Sequence, residues 1–220
     1  MKVDLSLYVL ADPARAGGRS LAEISAAAAR GGATLIQLRD KFAKTRALVE
    51  QALAIRQALA GSGVPLLVND RVDAALAADA DGVHLGRDDL DPVTARRLLG
   101  PKAIIGATVR AEADVGTFAR EAIDYVCIGG VFATASKDNP DPPIGLHGLA
   151  HLARLVREKV PGVPVGAIAG IDESNAAEVV RAGADGIAVV SAVTAQKDPE
   201  TAARNLRAIV DAANAARRVA

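Results

Sequence analysis

The feature of this sequence that most limits its fold is a regular alternation of two kinds of segment along its whole length. Short apolar runs rich in β-branched residues occupy positions 5–10, 34–38, 65–68, 82–85, 103–107, 125–128, 163–168 and 186–190. Between and after them lie Ala-rich stretches with helical spacing, at 21–29, 46–59, 72–78, 93–99, 113–121, 149–159, 173–181 and 200–216. Near-continuous apolar runs are expected of strands buried on both faces, and their alternation with helices implies parallel βαβ units. Eight such units in 220 residues match the count and length of a (β/α)8 TIM barrel. The expected fold is therefore α/β, a single barrel domain spanning residues 1–220. An open doubly wound sheet is the alternative, but no G-x-G-x-x-G opens the first helix. A faint repeat supports the barrel: Ala80-Asp81-Gly82-Val83, Ile123-Asp124-Tyr125-Val126 and Ala184-Asp185-Gly186-Ile187 each join a helix end to a strand.

Composition narrows the function classes. The 26 basic and 26 acidic side chains cancel, which argues against the basic excess of a nucleic-acid-binding protein. With two Tyr, three Phe and no Trp, the chain is poorly supplied for stacking bases. No apolar run approaches the roughly 20 residues of a membrane span. The start lacks a secretory apolar region, and Cys127 is the single cysteine, so a cytoplasmic location is expected. Alanine makes up about a fifth of the chain, which suits helices packed close to a sheet.

In a barrel of this kind the chemistry gathers where strands end. The second strand runs into Gln37-Leu38-Arg39-Asp40-Lys41, and period-2 alternation puts Gln37, Arg39 and Lys41 on one side, toward the mouth. Arg offers a planar fork for phosphate oxygens, and Lys a point charge. Strands three and four run into Asn69-Asp70 and Gly86-Arg87-Asp88-Asp89. Neighbouring strands would let Asp70 and Asp89 approach, as carboxylates that bind Mg2+ with a diphosphate do. Capping of the following helices is an equally open reading. Small residues after strands seven and eight, at 167–171 and 189–192, would let backbone N–H groups reach a phosphate. The long connection 133–145, with three prolines, reads as an active-site loop. His84 reads as a structural histidine within a strand and Cys127 as a small hydrophobe. His147 and His151 lack the Glu of an H-E-x-x-H zinc site. No convincing pair of nucleophile and base is visible.

Several motifs in register resemble the thiamine phosphate synthase family. They are Gln37-Leu38-Arg39-Asp40-Lys41, Asn69-Asp70-Arg71-Val72-Asp73, Asp81-Gly82-Val83-His84-Leu85-Gly86, the run from Gly129 to Lys137, Ala169-Gly170-Ile171, and Gly183 through Ala192. The resemblance implies a TIM-barrel transferase that joins hydroxymethylpyrimidine diphosphate to thiazole phosphate and releases pyrophosphate. It implies that Asp70 and Asp89 hold Mg2+, and that Gln37, Arg39, Lys41, Asn69 and Lys137 hold the diphosphate. Thr108 would add a hydroxyl near the departing group, so Arg39, Thr108 and Lys137 are the expected catalytic residues. Thr134, Ser136, Gly170, Val190 and Ser191 would grip the thiazole phosphate. The expected partners are these small molecules, with no nucleic acid and no membrane, and a homo-oligomer is left open. The chain departs from the family pattern at Thr108-Val109-Arg110, where Ser-x-His is usual. Gly130 and Ala133 replace frequent prolines, Ser136 replaces a threonine, and Ala169 replaces a glycine. Two alternatives are a thiazole tautomerase-like paralogue and a non-catalytic thiazole or thiamine phosphate-binding protein.

Overall fold

A computed structural model describes residues 3–116, 119–136 and 141–219. Eight parallel strands close into a barrel in sequence order: β1 (Leu7–Ala11), β2 (Leu35–Leu38), β3 (Leu66–Asn69), β4 (Gly82–Leu85), β5 (Ile104–Val109), β6 (Tyr125–Ile128), β7 (Val165–Ile168) and β8 (Gly186–Val189). The helices are α1 (Pro13–Ala16), α2 (Leu21–Arg30), α3 (Thr45–Ala58), α4 (Val72–Ala77), α5 (Pro92–Leu99), α6 (Glu112–Val115), α7 (Gly145–Lys159), α8 (Ala176–Arg181), α9 (Ser191–Thr194) and α10 (Pro199–Val219). All eight expected strands are present. Two short helices, α1 and α9, were not expected. The helix expected over 113–121 is instead the short α6, ended by Gly116, and a 3-10 turn at Arg120–Ala122. No helix among the described residues is long and apolar enough to cross a membrane.

Alternation along the strands sorts the apolar residues into two cores. Leu7, Val9, Ile36, Leu38, Val68, Val83 and Ile105 point outward and pack beneath the helices, with Leu48, Ile55, Leu149 and Val156 facing them. Tyr8, Leu10, Leu35, Leu67, Tyr125, Cys127 and Ala188 point inward and fill the barrel. The inner positions are thus packed rather than hollow, as the taper of an eight-stranded barrel requires.

The repeat seen in the sequence has a physical basis at the N-terminal face. Asp81, Asp124 and Asp185 each accept a hydrogen bond from an amide at the start of the preceding strand, at Leu66, Ile105 and Val165, all at 2.8 Å. The amide of each aspartate donates to the carbonyl of that same residue. Thr34 does the same to Leu7 through its hydroxyl. One clasp therefore secures every odd-numbered strand, and it satisfies a buried N–H that no strand neighbour reaches. Arg96 pairs with Asp124, while Arg157 and Arg217 pair with Asp185.

Candidate active site

The opposite, C-terminal face carries a cavity of about 480 Å3. Its floor is built from inward-facing side chains. Gln37 is buried, and its amide donates to the Tyr8 hydroxyl. The Tyr8 and Tyr125 hydroxyls are 2.9 Å apart, Tyr125 is 2.8 Å from His84 Nδ1, and His84 Nε2 is 2.9 Å from the Thr108 hydroxyl. The rings hold each other in place: Tyr8 meets Tyr125 edge-on, and His84 stacks on Tyr125. Gly106 makes room for this arrangement, because a β-carbon there would lie 2.0 Å from Tyr125 Cζ. Burial pushes both tyrosine hydroxyls well above their usual range, so both stay protonated. Cys127, beside them, has its thiol pushed up to about 12 by burial, which makes it inert as a nucleophile at neutral pH.

Arg39, just past the end of β2, pairs with Asp12 and lines the cavity. Asp12 is buried, and its other oxygen caps α1 through Ala14 N at 2.9 Å. Lys41 turns away from the cavity lining and pairs with Asp70. Asp70 sits at φ 62°, a left-handed conformation uncommon outside glycine. The bond from Arg71 N to Asn69 O, 2.7 Å, closes a γ-turn around it. Such strain is characteristic of functional sites. Asp89 accepts from Gly86 N at 2.7 Å. Burial, followed by its hydrogen bond to the Asp70 carboxyl, pushes the Asp89 carboxyl above the usual range, against the pull of Gly86 N–H and Lys41. Capping does not account for this pair: Asp91 caps α5 through Thr94 N, and α4 has no side-chain cap.

Three loops form the walls. The segment after β6 brings Thr134 and Ser136 to the cavity, with Ser136 N donating to the Thr134 hydroxyl at 3.1 Å. Beside it, Ala169 and Gly170 follow β7, with Phe132 N donating to Ala169 O at 3.0 Å, and Val190 and Ser191 lead into α9. The first helical bonds of α9 come from Val193 and Thr194 to Val190 O, so the amides of Ser191 and Ala192 precede the hydrogen-bonded turn. Gly170, at φ 65°, leaves no space for a side chain: a β-carbon would lie 2.4 Å from Ala133 O.

The expected site residues therefore fall into two groups. Gln37, Arg39, Asn69, Thr108, Thr134, Ser136, Gly170, Val190 and Ser191 share one cavity. Lys41, Asp70 and Asp89 form an ionic cluster beside it, joined to the cavity through Asn69. Lys137 lies outside the described residues. Sequence reasoning missed Asp12, for which the signal was Asp12-Pro13 at a strand end, an N-cap with proline at the first helical position. It also missed Tyr8 and Tyr125, and it read His84 as a structural residue only. Among the described residues, no cluster of three or more potential metal ligands occurs. His151 pairs with Glu112 rather than with His147.

Comparison with known proteins agrees with this geometry. The chain is 52% identical over 216 residues to a thiamine-phosphate synthase of Agrobacterium fabrum, covering 98% of each. It is 49% identical over 208 residues to the thiamine-phosphate synthase of Chloroflexus aurantiacus, covering 94% of each. Among solved structures, a thiamine phosphate pyrophosphorylase from Pyrococcus furiosus superposes with a TM-score of 0.82 at 39% identity, over 96% of this chain and 98% of that one. The family model described as thiamine monophosphate synthase matches residues 7–193. With the motifs in register along the barrel, these matches make the chain a member of the thiamine monophosphate synthase family.

Proposed function

We propose that this chain joins hydroxymethylpyrimidine diphosphate to thiazole phosphate, releasing thiamine phosphate and pyrophosphate. The observation that carries this reading is the division of the mouth. Arg39 and Asn69 line the cavity on the side of β2 and β3, where Asn69 leads directly into the Asp70–Asp89 pair, while small-residue loops after β7 and β8 line the other. That arrangement suits two phosphorylated substrates that meet between them.

In this reading the pyrimidine methylene C–O bond breaks first, and the electron pair leaves with pyrophosphate. The thiazole nitrogen then donates its lone pair to the methylene carbon. No protein nucleophile is required, in keeping with the inert Cys127. The protein supplies alignment and charge stabilisation. Arg39, held by Asp12, offers a guanidinium fixed in place before substrate arrives, and Lys41 and Lys137 complete the clamp on the diphosphate. Gln37 Oε1, buried without a hydrogen-bond partner, can only accept, so as oriented Gln37 suits a donor on the substrate rather than the diphosphate oxygens expected of it. Thr134, Ser136, Gly170, Val190 and Ser191 hold the second phosphate.

Mg2+ fits the Asp70–Asp89 pair on chemical grounds. The two carboxylates lie within hydrogen-bond reach of one another, both are hard oxygen donors, and this ion takes one or two carboxylates alongside water and phosphate oxygens. When bound, it would neutralise charge on the departing diphosphate.

The test is pyrophosphate release from both substrates together, with and without Mg2+. Metal-dependent release of pyrophosphate supports the reading. Isomerisation of a thiazole precursor without pyrophosphate would instead identify a tautomerase. Tight binding of thiazole phosphate without turnover would identify a binding protein.

A further inference from the structure

The segment between β1 and α2 reaches three separate places around the mouth. Asp12 holds Arg39. Arg15, in α1, donates from Nη2 to Ala135 O, in the loop after β6. Arg19 anchors its Nε on Ala16 O at 2.9 Å and spreads its fork over the end of α9. Its Nη2 lies 2.6 Å from Thr194 O, and its Nη1 2.7 Å from Gln196 O. Neither arginine lines the cavity, whereas Thr134, Ser136 and Ser191 do. We propose that Arg15 and Arg19 are positioning residues for the second phosphate, fixing the two walls that carry Thr134, Ser136 and Ser191.

Arg15 acts through the peptide between Ala135 and Ser136. A trans peptide points its C=O and N–H in opposite directions. With Ala135 O held by Arg15, Ser136 N turns the other way and donates to the Thr134 hydroxyl at 3.1 Å. Released from Arg15, the same carbonyl could swing toward the cavity that Ala135 lines, where its oxygen would repel a phosphate. Among the described residues, the Arg15 bond is also the one hydrogen bond that ties residues 133–136 to another part of the chain. Arg19 acts at the other wall. The last carbonyls of a helix have no partner within it, and α9 has only four residues. Arg19 takes the carbonyl of its last residue, Thr194, and that of Gln196 just beyond. Thr194 Oγ1 adds a bond to Leu10 O at 2.8 Å, so α9 is moored at its far end while Ser191, at its start, stays at the cavity. A charged donor makes such bonds roughly twice as strong as neutral ones. Because Asp12, Arg15 and Arg19 share one short segment, that segment sets the spacing between the diphosphate clamp and the second phosphate.

This proposal rests on the reading that these walls hold the phosphate of the acceptor, and its tests separate the two. Amide hydrogen exchange of the protein without substrate reports the tethers alone. Arg15→Ala should speed exchange in a peptide covering 131–136 about tenfold, the lower end for one hydrogen bond to a charged group, and leave 191–196 unchanged. Arg19→Ala should do the reverse. Unchanged exchange in both walls would overturn the proposal. In kinetics, Arg15→Ala should raise KM for thiazole phosphate about three- to thirtyfold, while KM for hydroxymethylpyrimidine diphosphate moves less than about twofold. Arg15→Lys keeps one donor for Ala135 O and should recover most of that loss, and it remains decisive if either alanine variant does not fold. A general weakening of the fold would raise both KM values together and would not be rescued by lysine, and either result would overturn the proposal. If the wild type releases no pyrophosphate at all, the functional reading fails, and the exchange data still decide whether the arginines hold the walls.

Discussion

The clasps at the N-terminal face allow a stability effect to be worked out and separated from activity. Asp124 is the informative one. Its Oδ2 accepts from Ile105 N at 2.8 Å, and Ile105 is fully buried. Asp124→Ala leaves that N–H without a partner, which costs about 1–3 kcal/mol. It also removes the ion pair with Arg96, whose partners are 19% and 33% exposed, adding about 1 kcal/mol or less. Arg96 keeps the carbonyls of Gly100 and Ala103, so it is not stranded. The expected total is about 1–4 kcal/mol, or a fall in Tm of roughly 2–16 °C for a chain of this size. Asp124→Asn keeps a carbonyl oxygen for Ile105 and loses only the charge, so about 1 kcal/mol is expected. Urea melts would give both values, and kcat/KM at permissive temperature should be unchanged, because the clasp lies on the face opposite the mouth. If the alanine variant were no less stable than the asparagine variant, the unmet amide would not be the source of the effect, and the clasp argument would fail.

Two other predictions concern the cavity wall and its support. Ala169 lies at φ 98°, a conformation that costs a non-glycine residue about 1–3 kcal/mol, so Ala169→Gly should raise stability by about 0.5–2 kcal/mol after the entropy of the freer unfolded chain is subtracted. A lower Tm for that variant would refute the strain. Burial raises the Asp114 carboxyl, but Arg87 and the amides of Arg110 and Ala111 outweigh it and hold it below the usual range. A folded-state value below the unfolded one stabilises the protein above about pH 4 and is lost as pH falls through the folded value. The stability gap between wild type and Asp114→Asn should therefore be full at pH 7 and shrink at pH 3, and a gap independent of pH would contradict this.

How much of this was legible in the sequence depends on whether the signal is local. Strands and most helices were readable because burial imposes a period on adjacent residues, and the Asp81, Asp124 and Asp185 repeat was visible because each clasp recurs in the same local setting. The four-residue helices α1 and α9 are too short to show a period. Alternation carried Gln37 and Arg39 correctly to the cavity, but β2 ends at Leu38, and beyond it the backbone no longer alternates. Lys41 is therefore free to turn to Asp70. The cavity floor was illegible for another reason: Tyr8, Gln37, His84, Thr108 and Tyr125 come from five strands, so only barrel closure brings them together.

The departures from the family pattern show the same dependence on contacts across the barrel. Arg110 in place of a histidine and Gly130 in place of a proline look like two unrelated changes in the sequence. In the structure they meet: a β-carbon on Gly130 would lie 2.8 Å from Arg110 Nη2 and 3.2 Å from its Cζ. Gly130 also adopts φ 74°, a conformation closed to proline, whose ring fixes φ near −65°. A side chain at position 130 would press on the flexible end of this arginine, and the left-handed backbone there favours glycine, so Gly130 leaves the guanidinium its place at the cavity lining. The two positions are thus coupled through one contact at the cavity wall, where the Arg110 guanidinium brings a positive charge beside the acceptor loops.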